Sequence, residues 1–291
     1  MIPAQFDYVR PAAIDEALRV LKDREGEAKV LSGGYSLIPL LKLRLAQPGL
    51  LVDIRGLGGL DTIAETGDEL RIGGRATHRQ IHLDPVVAAR YPLLHDASAG
   101  IGDPQVRNWG TIGGSCAHAD PSADWPAVLI AERATIVCRS VDGERQIPAR
   151  EFFLDTFVTA IEPTEILTEV RIPRPAAGSS GAYEKIERKA GDFATAAAAV
   201  VLRLDPDSTI RSAGVGLTAV AETAFAATDA EAVLVGNRPS EDLFRQAGSA
   251  AGAQSRPAAD GHGPVAYKRA MAAEMTVRAL RRAVSRAMTA A

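Results

Sequence analysis

The spacing of apolar residues changes order once along this chain, at Ile172-Pro173-Arg174-Pro175, and that change limits the fold more than any single motif. Before it, helical and extended patterns alternate. Asp15 to Lys22 sets Ala17, Leu18 and Leu21 on one helical face, and Lys29-Val30-Leu31 then runs into Gly33-Gly34 as a buried strand should. A second helical pattern (Leu37, Leu40, Leu41, Leu45) starts at Ser36 and lasts until Pro48. Strands are expected at Leu50 to Ile54, Leu70 to Ile72 and Ala134 to Arg139. Helices are expected at Pro85 to Arg90, Leu93 to Gly100 and about Ser122 to Ala131, with a glycine-rich stretch before the last. Beyond the linker candidate Pro175-Ala-Ala-Gly-Ser-Ser-Gly181 the order becomes strands first (Ala182 to Arg188, Thr195 to Leu204, Ile210 to Val220). Helices follow, from about Glu241 to Ala253 and from Val265 to Ala287. This is an α+β order in two domains.

A chain of 291 residues, 46% apolar and 24% charged, buries enough surface for both. A net charge of −3 offers nucleic acid or anionic membrane no overall attraction. Cys116 and Cys138 are the only cysteines, so the chain cannot by itself ligate a four-thiolate iron–sulfur cluster or zinc site. They read as reduced thiols of a cytoplasmic protein. No segment is apolar enough to span a bilayer, and the start, with Pro3, Asp7 and Asp15, lacks the basic and apolar runs of a signal peptide.

Several familiar motifs fail. His78 and His82 share a helical face, but Arg79 stands where a zincin needs Glu, so no metal is expected. Gly34-Tyr35-Ser36 lacks the closing glycine of a nucleophile elbow. Gly56-Leu57-Gly58-Gly59 lacks the third glycine of a dinucleotide fingerprint, and no phosphate-loop lysine motif exists. No catalytic residue is assigned.

Two glycine segments remain. Ser32-Gly33-Gly34-Tyr35-Ser36 lies between a strand and a helix, where backbone N–H groups can converge on an anion. Gly110-Thr111-Ile112-Gly113-Gly114-Ser115 reads as a second loop with glycines and hydroxyls. Together they suit a diphosphate, met by uncharged donors from both sides. Asp120 is a candidate cap for the helix that follows, and Asp124 a candidate acceptor for ribose hydroxyls.

The string from Gln105 to Asp124, with Ser32 to Leu37 upstream, resembles the flavoprotein (medium) subunit of molybdenum-containing hydroxylases, most of all the carbon monoxide dehydrogenase type. Phe6, Tyr8 and Pro11, Ala182 to Lys189 and Tyr267 to Leu280 extend the resemblance over nearly the whole chain. The resemblance implies a two-part PCMH-type, vanillyl-alcohol-oxidase-like FAD-binding domain over residues 1–176, with subdomains of about 1–55 and 56–176. A CO-dehydrogenase-flavoprotein C-terminal domain, a three-stranded antiparallel sheet with helices, is implied over 177–291. It implies FAD held at Ser32, Gly33, Gly34, Tyr35, Ser36 and Leu37 and at Thr111, Ile112, Gly113, Gly114 and Ser115, with Ile101 lining the pocket, Asp124 at the ribose and Lys185 near the flavin. Ser32, Tyr35 and Cys116 depart from the residues common in relatives.

By the same resemblance the chain transfers electrons. Substrate oxidation falls to a molybdenum cofactor on a large subunit, and two 2Fe-2S clusters on a small subunit feed FAD, in a dimer of heterotrimers that is cytoplasmic or associated with the inner membrane face. An external acceptor, a quinone, a cytochrome, NAD or oxygen, takes the electrons. The alternatives are the FAD subunit of a hydroxylase acting on an N-heterocycle or aldehyde, and a stand-alone flavin oxidase. Arg107 and Asn108 are expected to brace the second segment or lie near the flavin, and His118 to order its loop. Trp109, Trp125 and Phe193 could stack on adenine or flavin, though core packing is the commoner use of any single aromatic, and the basic last helix (Lys268, Arg269, Arg278, Arg281, Arg282, Arg286) is a candidate for a solvated face or a contact with lipid or a partner.

Overall fold

Leu50–Asp53 is buried at every position, as a strand covered on both faces must be. In the computed structural model, which describes residues 1–289, it is the middle of a three-stranded sheet. Asp7–Val9 and Ala28–Leu31 pair with it in parallel on either side. Parallel neighbours need crossovers, here the helices Ile14–Asp23 and Leu37–Lys42. The first buries Ala17, Leu18 and Leu21, the stripe expected from their spacing. The second ends at Lys42, sooner than Leu45 and Pro48 suggested, because Arg44 turns into a left-handed conformation.

A five-stranded antiparallel sheet follows, in the order Ile63–Thr66, Glu69–Gly73, Ile166–Pro173, Thr135–Ser140, Gly143–Pro148. Its central strand arrives last in sequence, after short helices have been laid on the sheet. The hairpin strand Ile63–Thr66 was not expected; it turns back through Gly67 at φ 61°. The glycine-rich stretch is no loop but two helices, Pro104–Trp109 and Ile112–His118. Asp103 and Thr111 cap them, accepting from Val106 N–H (2.8 Å) and Gly114 N–H (3.1 Å). Such caps, with tertiary contacts, outweigh the ~1 kcal/mol that each helical glycine costs.

The second half is a four-stranded antiparallel sheet, Ser179–Ile186, Ala196–Leu204, Ile210–Thr218 and Phe225–Ala226, the last a two-residue strand beyond the three expected. A short helix at Thr228–Leu234, also unexpected, precedes Glu241–Gln254 and Val265–Thr289. The first strand begins at Ser179, inside the segment read as a linker. The alanine run explains how the halves join. Ala197 and Ala199 face the core of the first half, while Ala196, Ala198 and Val200 face the C-terminal helices. Helix Asp124–Ala131 is buried along its whole length and lies so close to Gly214 and Gly216 that a Cβ at either would strike its carbonyls. An all-round apolar helix is a buried one, and here it is the shared layer between the two sheets.

Candidate functional site

The first glycine segment has the local form its sequence suggests. Strand Ala28–Leu31 ends, Gly34 takes φ 84°, and helix Leu37–Lys42 begins after Ser36. The Gly34 carbonyl accepts from Ile38 N–H at 2.9 Å. The N–H groups of Gly33, Gly34, Tyr35 and Ser36 have no protein acceptor among the described residues, nor does the Ser36 hydroxyl a partner. Gly33 rests on the Trp109 carbonyl, which a Cβ would strike. The Ser32 and Thr111 hydroxyls, 3.1 Å apart, tie the two segments together.

The second segment differs. Ile112 N–H donates to Ala76 O (3.0 Å), Gly113 N–H to Gly74 O (2.9 Å) and Ser115 N–H to Thr111 O (3.0 Å), while Gly114 N–H goes to the Thr111 hydroxyl. The expected amide-rich loop is thus the first turn of a helix whose amides are satisfied by protein. Its free donor is the Ser115 hydroxyl, which has no partner among the described residues. A groove of about 800 Å³ beside both segments reaches Ser32, Gly33 and Thr111. Arg55 and the half-exposed Trp109 also line it, but Asp124 and Lys185 do not.

Those two meet each other. Lys185 Nζ is 3.2 Å from Asp124 Oδ1, and both side chains are 7% exposed. Tyr183 O–H donates to the same oxygen at 2.7 Å, leaving Asp124 Oδ2 without a protein partner among the described residues. Burial raises the Asp124 carboxyl above its ordinary value, against the opposing pull of Lys185, and burial beside Asp124 pushes the Tyr183 phenol well up. Lys185 also donates to Gly100 O (2.8 Å) and lies 3.1 Å from Glu187 Oε2. Ile101, next to Gly100, is held through its carbonyl by Arg107 (3.1 Å), which also donates to Gly102 O (2.7 Å); the bracing role expected of Arg107 therefore acts on the 101–102 turn. Asn108 donates within its own helix to Pro104 O.

Other expectations change. Asp120 is not the helix cap: it accepts from Ser122 N–H, and Ala123 occupies the cap position. Trp125 is fully buried and donates to His78 Nδ1 at 2.9 Å, so it stacks on no ligand, whereas Trp109 and Phe193 are half-exposed. Burial brings His78 down to about 3, keeping it a neutral acceptor. His82 stacks on His95 instead of joining His78, and no group of metal ligands exists among the described residues. His118 packs on Phe157, and burial lowers it. Both cysteines are free and buried, with desolvation pushing Cys138 up to about 12. Five of the six cations of the last helix pair within the chain: Arg278 with Glu274, Arg281 with Glu241, Lys268 with Asp260, and Arg282 and Arg286 with Asp96, while Arg269 donates to Ser255 O.

Sequence reasoning missed Tyr183, Glu187 and Asp96. Tyr183 sits in a strand whose pattern says only that it is buried. The structure thus holds free amide and hydroxyl donors beside the groove, and, outside the groove's lining, a buried Lys185 next to a carboxylate oxygen of Asp124 that has no protein partner among the described residues.

The model of an FAD-binding domain in molybdopterin dehydrogenases matches residues 4–175, and that of the CO dehydrogenase flavoprotein C-terminal domain matches 181–283. The carbon monoxide dehydrogenase medium chain of Afipia carboxidovorans is 43% identical over 287 residues, 99% of each chain. The 6-hydroxypseudooxynicotine dehydrogenase complex subunit alpha of Paenarthrobacter nicotinovorans is 36% identical, covering 99% of this chain and 97% of that one. A solved structure of carbon monoxide dehydrogenase from Hydrogenophaga pseudoflava, lacking the Mo-pyranopterin moiety of its cofactor, superimposes with a TM-score of 0.95 at 44% identity. It covers 98% of this chain and 99% of that one.

Proposed function

Because the chain belongs to the flavoprotein-subunit family of the molybdenum hydroxylases, we propose that it is the FAD-binding electron-transfer subunit of an aerobic carbon monoxide dehydrogenase. One observation carries the flavin part: the unsatisfied N–H groups of Gly33 to Ser36 lie within the matched FAD-binding region, where an anionic ligand would pair them. The residues present fit FAD. Ser32 to Leu37 would hold its diphosphate, with the free N–H groups of Gly33 to Ser36 as donors, and Thr111 to Ser115 would supply hydroxyls and a rigid second wall. Asp124 Oδ2 would be free to accept from a ribose hydroxyl, and Ile101 and Lys185 would border the flavin. When bound, FAD supplies the two-electron chemistry that links one-electron iron–sulfur clusters to an external acceptor.

This chain's residues bind and orient; none is assigned to substrate chemistry or to a metal. With two buried cysteines it holds no cluster of its own, so the 2Fe-2S clusters and the molybdenum cofactor belong to small and large partner subunits, in our reading two copies of each trimer in the cytoplasm. A quinone, cytochrome or NAD takes the electrons. We divide the chain into a FAD-binding domain, 1–176, and a C-terminal domain, 177–291, of which 290 and 291 lie outside the described residues. A second reading, a heterocycle hydroxylase, is favoured by the 36% identity to the 6-hydroxypseudooxynicotine dehydrogenase subunit.

Flavin content is the test. The purified chain should carry stoichiometric FAD, and Gly114→Val should lose it with its circular dichroism intact, since a Cβ there meets only the Thr111 hydroxyl, at 2.8 Å. Full flavin in that variant would remove the second segment from the site. For the substrate, the complex assembled with its partner subunits should oxidise carbon monoxide; activity on heterocycles alone would select the second reading.

A further inference from the structure

Asp96 lies on helix Pro92–Gly100 in the first half of the chain, yet its carboxylate, 7% exposed, is devoted to the second half. Oδ1 accepts from Arg282 Nη2 (2.8 Å) and Arg286 Nη2 (3.0 Å), and Oδ2 from Arg286 Nη1 (2.7 Å) and the backbone N–H of Tyr183 (3.3 Å). Both oxygens are thereby filled. The same arginines reach the strand: Arg286 donates to Gly181 O at 2.8 Å and Arg282 to Tyr183 O at 3.4 Å.

Ser179–Ile186 is an edge strand, paired on one side by Ala196–Leu204. Gly181 and Tyr183 point their unpaired backbone groups outward, and an open edge of this kind must be covered or it stays free to shift. Asp96, Arg282 and Arg286 do the covering. One strand repeat beyond Tyr183 comes Lys185, on the same face. Its ammonium rests on Gly100 O, one helical turn beyond Asp96 on the same helix. Tyr183 and Lys185 then converge on Asp124 Oδ1. The strand therefore touches the helix at Asp96 and at Gly100, and these anchor points fix how far Lys185 reaches.

We propose that Asp96, clamped by Arg282 and Arg286, is a positioning residue for the flavin site: it sets the edge strand so that Lys185 and Tyr183 meet Asp124 where the cofactor lies. This rests on the FAD reading above. The cluster is not a catalytic group, since it acts through the strand and not on the ligand.

The test uses the full chain, titrated with FAD and followed by visible spectrum and flavin midpoint potential. Asp96→Ala should weaken FAD binding about tenfold, equivalent to ~1.4 kcal/mol. It should also shift the spectrum and potential in the direction of Lys185→Met. The double variant should fall short of the sum, because both changes remove one arrangement, and Asp96→Glu, which keeps the carboxylate, should restore most of the affinity. If Asp96→Ala does not fold, the Arg282→Gln/Arg286→Gln variant, whose replaced side chains are partly exposed, should give the same shifts. A lower melting temperature with unchanged FAD affinity and potential overturns the proposal alone. A wild-type chain that binds no FAD overturns the flavin reading, and this inference with it.

Discussion

At Gly33 to Ser36 the backbone N–H groups await an acceptor, whereas from Ile112 to Ser115 each is already bonded to Ala76, Gly74 or Thr111. The glycines differ in the same way. Gly34 is needed for its own conformation, φ 84°, a region that costs other residues roughly 1–2 kcal/mol. Gly113 is needed because the neighbouring chain is too near, its Cβ position lying 2.5 Å from Gly74 O. In the proposed site one segment is left for the ligand to complete, and the other, its amides already satisfied by the protein, serves as a wall. Similar glycine and hydroxyl strings can thus stand on opposite sides of a site with different duties.

The largest effect that separates them is on folding. Gly113→Val forces backbone against backbone and should cost about 3 kcal/mol, read as a fall in melting temperature on the order of 10 °C. A melting temperature equal to wild type would mean that the wall yields and that the two segments are alike after all.

Acid should separate the segments next. Beneath the second, the backbone N–H of His78 donates to Gly110 O, its imidazole Nδ1 accepts from Trp125, and burial holds that imidazole at about 3. Beneath the first lies Asp53, fully buried, whose carboxyl burial alone would raise. Hydrogen bonds from Arg55 (2.7 Å) and Tyr8 (2.5 Å) overcome that and bring it to about 2. Both folded values lie below the ordinary ones, so each group contributes stability that is complete above its unfolded value and is lost as pH falls. For His78 the window runs from 6.5 down to about 3, and for Asp53 from 3.8 down to about 2. Amide protection factors, corrected for the intrinsic exchange rate at each pH, should therefore fall around Gly110 to Ser115 at mildly acid pH before they do around Ser32 to Ser36. His78→Gln should flatten the stability curve between 6.5 and 3. A first segment that loosens before the second would reverse the assignment.

The smallest effect concerns the link between them. Ser32→Ala removes the hydroxyl bridge to Thr111 but leaves the Thr111 cap on Gly114. Thermal unfolding should show a loss of about 1 kcal/mol. A much larger loss would show that the segments form one unit.

The first segment was legible because its cause is local. A strand, a pair of glycines, a hydroxyl and the start of a helix follow one another within a few residues, and Leu31, Gly34 and Leu37 need no distant neighbour to say so. The second was misread because glycines in sequence carry no sign of the Thr111 cap or of Gly74 across the sheet. That Trp125 belongs to the core, the commoner of the two uses the sequence left open, was settled by a partner, His78, 47 residues away.

By itself the sequence determined that this chain has two domains of different order, that it carries too few thiolates for an iron–sulfur cluster, and that its glycine strings resemble a flavin-binding family. These rest on counting and on short-range periodicity, which survive any arrangement of the elements. Only the tertiary structure decided which amides stay free, that Asp124 and Lys185 face each other, and that Arg282 and Arg286 of the last helix hold Asp96 from 186 and 190 residues away. Hydrogen bonds and buried charges are settled by what lies within about 3 Å, and over such separations in the chain that proximity is a property of packing alone.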